Sequence, residues 1–188
     1  SVAIRSTTSS RLAMPICVAL QRSDAMHVWL IGMMGTGKTT VGAMIAEELS
    51  LPLIDTDTEV MTATGRTIPD LFAESEEFFR SVESSVITAI AAGPPSVIST
   101  GGGAVLGPTN VATRRSTGQV ILLEASPADL EARLDLDGSR PLLDSRDDTR
   151  RIAEERLDLY HSASHHRIMT DGRSARDVAS EVLTCLAP

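Results

Sequence analysis

The chain has 188 residues, 42% of them hydrophobic, which is enough for one well-buried core and too little for two ordinary enzyme domains. A net charge of −8 and an aromatic content of 3% argue against a nucleic-acid binder, which needs a basic face and stacking platforms. No run approaches the ~18 apolar residues of a membrane span, so small molecules are the expected partners.

The first 26 residues are rich in Ser and Thr and set Arg5, Arg11 and Arg22 against Asp24, giving +2 where the remainder carries −10. An organelle transit peptide has this composition; an upstream extension ahead of a start at Met14 or Met26, or a disordered tail, reads the same way. The segment is expected to lie outside the fold. The default location is cytoplasmic, or a plastid if the leader is a transit peptide. Cys17 and Cys185 have no metal-ligand or redox spacing and read as reduced thiols.

The apolar run His27–Ile31 predicts a buried strand that ends at a tight turn. That turn, Gly32-Met33-Met34-Gly35-Thr36-Gly37-Lys38-Thr39, is a complete P-loop. Lys38 is the only lysine among 17 fixed basic side chains. Codon bias explains why lysine is absent elsewhere, but not why the survivor stands where phosphate chemistry uses a slender ammonium. Gly32, Gly35 and Gly37 let successive amides face one anion, and the helix that follows adds its dipole. Lys38 would bridge β- and γ-phosphates, and the Thr39 hydroxyl would ligate Mg²⁺. ATP contacts are expected from Gly35, Thr36, Gly37, Lys38, Thr39 and Thr40.

From Lys38, apolar residues Val41, Met44, Ile45 and Leu49 mark an amphipathic helix. Leu51–Asp55 predicts the next strand, followed by a helix to about Thr64 and a second helical start after Thr67-Ile68-Pro69. A period of two places Asp55 and Asp57 on one side of an extended chain. One carboxylate could hold magnesium through water while the other orients or deprotonates an acceptor hydroxyl; an acidic pair capping a helix has the same spacing. Phe78–Ala92 has helical periodicity, and Gly93-Pro94-Pro95 stops it.

Ser96–Ser99 and Gln119–Leu123 read as further strands. Ser99-Thr100-Gly101-Gly102-Gly103 follows the first of them, where open α/β sheets bind ligands. Its glycines would allow backbone to approach a substrate and Ser99 could reach the metal shell through water; a flexible turn is the plain alternative. Asp135–Asp148 is polar and aperiodic, either disordered or a mobile lid spanning roughly 135–149. Ile152–Tyr160 predicts a helix, Arg167–Met169 a last strand and Ala175–Leu186 a closing helix.

Alternating strands and helices predict one three-layer α/β/α domain over 27–188 with a parallel sheet of about five strands. Arg80, Arg140 and Arg156 stand out as guanidinium groups able to grip an acidic substrate through paired hydrogen bonds. The histidines lack metal spacing and the cysteines lack a nearby base, so covalent catalysis has no support.

Taken together, these motifs resemble the shikimate kinases, small P-loop proteins of the nucleoside-monophosphate-kinase group. The resemblance runs from about Val28 to the C-terminus. It rests on the P-loop, Asp55-Thr56-Asp57, Thr64-Gly65-Arg66-Thr67-Ile68, Phe79-Arg80 with Glu83, Gly101-Gly102-Gly103, Arg140-Pro141-Leu142-Leu143, and Arg156 ahead of Leu159-Tyr160. It implies phosphorylation of the 3-hydroxyl of shikimate by ATP with Mg²⁺, a step toward chorismate and the aromatic amino acids. Asp57 would be the base and Asp55 would face the metal. Arg80 and Arg156 would clamp the shikimate carboxylate, Glu83 would orient Arg80, and Gly101, Gly102 and Gly103 would line the pocket. Arg140 would swing in on the lid, with Arg133 and Arg173 flanking adenine. Two features depart from the family pattern: a shorter spacing from Arg140 to Arg156, and Asp158 where proline is common. A gluconate-kinase-like enzyme and a catalytically weak nucleotide-dependent regulator are the competing readings, and a monomer is the default assembly.

Overall fold

The structure is a computed structural model that describes residues 26–137 and 146–187. The leader up to residue 25 lies outside the described residues, as does the segment 138–145 with Arg140. Five strands form an all-parallel sheet: β1 His27–Ile31, β2 Leu53–Asp55, β3 Val97–Ser99, β4 Gly118–Glu124 and β5 His166–Met169, in the order β2-β3-β1-β4-β5. Every residue of β1 is buried, as expected for a central strand covered on both faces.

Alternation along β1 divides the core in two. Val28 and Leu30 point into a layer with Val41 and Ile45 of α1 (Lys38–Leu49) and Val178 and Val182 of α8 (Ala175–Leu186). Trp29 and Ile31 point the other way, toward Ile87 of α4 (Glu76–Ala91), Leu130 of α6 (Pro127–Asp137) and Tyr160 of α7 (Arg146–Ala163). A smaller cluster of Val60, Leu71, Phe79 and Val86 packs α2 (Thr56–Thr64) and α3 (Ile68–Glu74) against α4. A 3₁₀ turn, Ala104–Leu106, and α5, Pro108–Thr117, connect β3 to β4.

Sheet register sets the site. Leu30 of β1 and Asp55 of β2 are both level with Ser99 of β3, so three strands end side by side and deliver their following loops to one edge.

Three expectations need correction. β2 begins at Leu53 because Leu51 turns its N–H back to Ala46 O, closing α1. Asp57 is not extended: the strand stops at Asp55 and Asp57 lies in the first turn of α2, so alternation is not what aligns the two carboxylates. Both ends of the expected 135–149 stretch are helical, since α6 runs to Asp137 and α7 starts at Arg146 rather than Ile152, while 138–145 lie outside the described residues. The early turns of α7 have no apolar stripe to read; i,i+4 pairs such as Arg151 with Glu155, at 3.0 Å, support them instead.

Candidate active site

The P-loop joins β1 to α1 through Gly32, Gly35 and Gly37, with φ of 141°, 81° and 88°. A β-carbon on Gly32 would also run into the Leu123 carbonyl, so the loop passes tightly over β4. Thr36 Oγ1 donates to Met33 O at 2.9 Å and steadies the turn. Lys38, 9% exposed, folds its Nζ back onto Gly32 O at 2.9 Å and Met33 O at 2.8 Å. Thr39 and Thr40 are exposed in the first turn of α1, where amide groups point outward.

Thr39, Asp55 and Ser99 come together as expected. Thr39 Oγ1 donates to Asp55 Oδ2 at 3.2 Å and shares a hydrogen bond with Ser99 Oγ at 3.1 Å. Asp55 caps a helix with one oxygen and turns the other toward the P-loop helix. Its Oδ1 caps α2 by accepting from the Asp57 and Thr58 amides at 3.1 and 3.3 Å, while Oδ2 faces the P-loop helix. Two hydroxyls and a carboxylate oxygen form a hard-oxygen donor set of the kind that suits Mg²⁺ beside a polyphosphate. The residues therefore fit that ion.

The glycine turn after β3 forms the other wall, and each glycine meets a different functional group. A β-carbon on Gly101 would stand 2.6 Å from Asp57 Oδ1. Gly102 O accepts from Tyr160 Oη at 2.5 Å and from Arg156 Nη1 at 3.5 Å. A β-carbon on Gly103 would collide with the Arg80 guanidinium. At Gly101 and Gly103 it is close approach of the Asp57 and Arg80 side chains, not left-handed backbone, that favours glycine. Gly102 also lies against the P-loop: its β-carbon would come within 3.7 Å of Gly32 O and Met34 N. The two walls thus meet at one point.

Arg80 is fixed on three sides. Nη1 donates to Glu83 Oε2 at 3.0 Å, Nη2 to Glu76 Oε1 at 3.2 Å, and the guanidinium carbon sits 5.1 Å from the Phe79 ring centroid. Burial pushes the Glu83 carboxyl up, the Arg80 charge pulls it back down, and Asp57 adds a smaller upward push. Burial likewise pushes the Tyr160 phenol up to about 12, opposed by the nearby Arg156 charge, so it remains a neutral donor to Gly102.

Arg133 on α6 reaches the P-loop, donating to Gly35 O at 3.1 Å and Thr170 O at 2.9 Å. Arg173 donates to Met169 O at 3.0 Å and Asp177 O at 3.2 Å, and pairs with Glu181 at 2.6 Å, all within the β5–α8 corner. Two groups escaped the sequence reading. Thr56, fully buried, accepts from the Gly101 amide at 3.0 Å and ties α2 to the glycine turn. Arg114, also fully buried, donates to Ala104 O at 3.1 Å just past that turn. The available signal was the i,i+4 pair Asn110 and Arg114 on one inward face of α5, but polar residues at helical spacing read as a solvated face.

Residues 34–187 match the family model described as shikimate kinase. The chain is 46% identical to a shikimate kinase of Symbiobacterium thermophilum over 84% of its own length and 94% of the relative's. It is 42% identical to one of Moorella thermoacetica, covering 85% and 94%. In structure it resembles the Acinetobacter baumannii shikimate kinase in complex with shikimate, with a TM-score of 0.81, 34% identity, and coverage of 87% and 93%. A gluconokinase of Sinorhizobium meliloti shares the fold at a TM-score of 0.62 with 16% identity.

Proposed function

The chain belongs to the shikimate kinase family, an ATP-dependent family of kinases, and from that premise we propose how its residues move the γ-phosphoryl of ATP to the 3-hydroxyl of shikimate. The observation that carries the assignment is the glycine turn, where Asp57, Arg156 and Arg80 each abut one of three successive glycines and the middle one touches the P-loop. Acceptor and phosphate sites then share a wall, as an in-line transfer needs.

Arg80 and Arg156 grip the shikimate carboxylate, and the turn lies against the ring with no side chain between. Asp57 accepts the 3-hydroxyl proton as that oxygen bonds to the γ-phosphorus. The bond from phosphorus to the β,γ-bridging oxygen breaks, and ADP leaves with the electron pair. The P-loop amides and Lys38 hold the phosphates, with Lys38 exchanging its carbonyl partners for phosphate oxygens. Arg133, placed on Gly35, borders the nucleotide; Arg173 joins it on the family resemblance alone. Arg140, outside the described residues, is assigned on the same resemblance to the charge of the transferring phosphoryl.

Thr39 would hold Mg²⁺ directly, and Asp55 and Ser99 through water; when bound, the ion neutralises charge on the β- and γ-phosphates. Asp55→Asn is expected to raise the Mg²⁺ concentration for half-maximal rate by about 10–100-fold, the range found for outer-shell partners. Asparagine caps helices as well as aspartate does, so the melting temperature should stay near that of the parent. A magnesium titration alongside thermal melting checks both; an unchanged magnesium requirement would remove Asp55 from the metal.

The reaction is tested by ADP release from purified protein with Mg²⁺ and ATP, comparing shikimate, gluconate, a nucleoside monophosphate and no acceptor. A rate appearing with shikimate alone is expected. Turnover of a different acceptor would keep the fold and discard the carboxylate clamp.

A further inference from the structure

Arg114 has no part in the scheme above, yet it lies directly behind the acceptor wall. It sits in the last turn of α5 and is 0% exposed. Its Nη2 holds Ala104 O, while Nε and Nη1 find no hydrogen-bond partner among the described residues. On the neighbouring helix, Glu83 is 1% exposed and presents a similar half-used group. Its Oε2 serves Arg80, and Oε1 lacks a hydrogen bond and points at the turn, 3.4 Å from a β-carbon built on Gly101. The two buried charges attract each other, and Arg114 also acts on Tyr160.

A guanidinium is an expensive filler for a hydrophobic cluster, since its desolvation must be offset by paired charge. Leucine or methionine would pack there without that penalty. What a fixed cation adds is an electrostatic effect on the groups around it.

We propose that Arg114 is a positioning residue of the acceptor site, whose Nη2 fixes the carbonyl path out of the glycine turn while its buried charge adds to that of Arg80 in keeping Glu83 anionic, and so Arg80 anchored. This rests on the acceptor-site reading above. The groups facing Glu83 are Arg80 and Glu76 from α4, Asp57 from α2, Arg114 from α5, and Tyr160 with Arg156 from α7. Burial raises the Glu83 carboxyl, Arg80 opposes that, Asp57 reinforces it, and Arg114 adds a smaller downward pull. Burial lowers Arg114 itself to about 10, which leaves it charged near neutrality. The ionised form of Glu83 is the working form. Removing Arg114 therefore raises the pH at which Glu83 gains a proton, releases Arg80 and weakens substrate binding.

The test is the pH dependence of the shikimate KM in Arg114→Met and Arg114→Gln, with melting temperatures, set beside Arg114→Lys and Glu83→Gln. The uncharged variants should shift the acid rise in KM to higher pH, so that KM at a pH within that window rises several-fold, with kcat and the ATP KM within about twofold. Arg114→Lys should keep the parental profile. In a Glu83→Gln background, adding Arg114→Met should shift nothing further, because the group it acts through is gone. A folded Arg114→Met or Arg114→Gln with parental KM and profile would overturn the inference while leaving the kinase assignment intact. So would additive effects with Glu83→Gln, a shift in Arg114→Lys equal to that in the uncharged variants, or failure of both uncharged variants to fold, which would make Arg114 structural. A parent protein without shikimate-dependent ADP release would overturn the acceptor reading and this inference together.

Discussion

Lys38→Ala is expected to reduce shikimate-dependent ADP release by ~10³ or more, the upper end of what removing one preorganised donor to developing charge costs. The arrangement gives that estimate its basis. The amine is nearly buried and rests on Gly32 O and Met33 O within the loop, from which it turns to the phosphates. No other lysine exists in the chain, and the described arginines nearby come from elsewhere in the fold: Arg133 ends on Gly35 O of the loop and Arg156 on Gly102 O of the glycine turn. Nothing in the loop itself can take over the charge. The variant should remain folded, since Thr36 and the left-handed glycines shape the turn independently. Steady-state rates with a thermal melt check this, and activity within tenfold of the parent would dismiss Lys38 from the phosphate site.

Asp57→Asn should lower kcat by about 10²–10³, within the usual range for a positioned general base, and change the shikimate KM only a few-fold. Asparagine keeps the shape and the place beside Gly101, where the carboxylate oxygen now sits, and removes the ability to take a proton. It also removes a negative charge that faces Glu83, so Glu83 ionises more readily and the Arg80 anchor is, if anything, strengthened. The loss should therefore fall on turnover and not on binding. A large rise in KM with kcat preserved would reassign Asp57 from proton acceptor to a hydrogen-bond partner of the ground state.

Much of this site could be read in the sequence because its parts are short motifs at the ends of strongly apolar strands. β1, α1 and α8 keep their expected bounds, since their apolar residues recur at clean periods. The approximate helix ends at Thr64 and Ala92 also agree with the structure to within a residue, because glycine, and glycine with two prolines, follow them. What escaped depends on three dimensions. Strand alternation predicts an extended Asp57, but Asp55 caps the helix that starts one residue later, and a cap that also ends a strand looks extended in sequence. Arg114 and Arg115 are adjacent and chemically identical, yet one is fully buried behind the glycine turn. The other lies on the surface, bonding Ser162 O and Ser164 O at 3.3 and 2.9 Å. Only the packing of α5 against the 3₁₀ turn tells them apart. The start of α7 is not legible in the sequence because charged residues without an apolar stripe carry no period.

The bare glycine wall also bears on inhibition and resistance. A competitive inhibitor that leans on the Gly101–Gly103 backbone contacts a surface with no side chain to trim, and substitution there can only add atoms. At Gly101 and Gly103 the first added carbon meets Asp57 or Arg80, groups assigned to the reaction itself. Substituting Gly101 or Gly103 would displace those groups along with the inhibitor, so escape through these two positions should cost turnover.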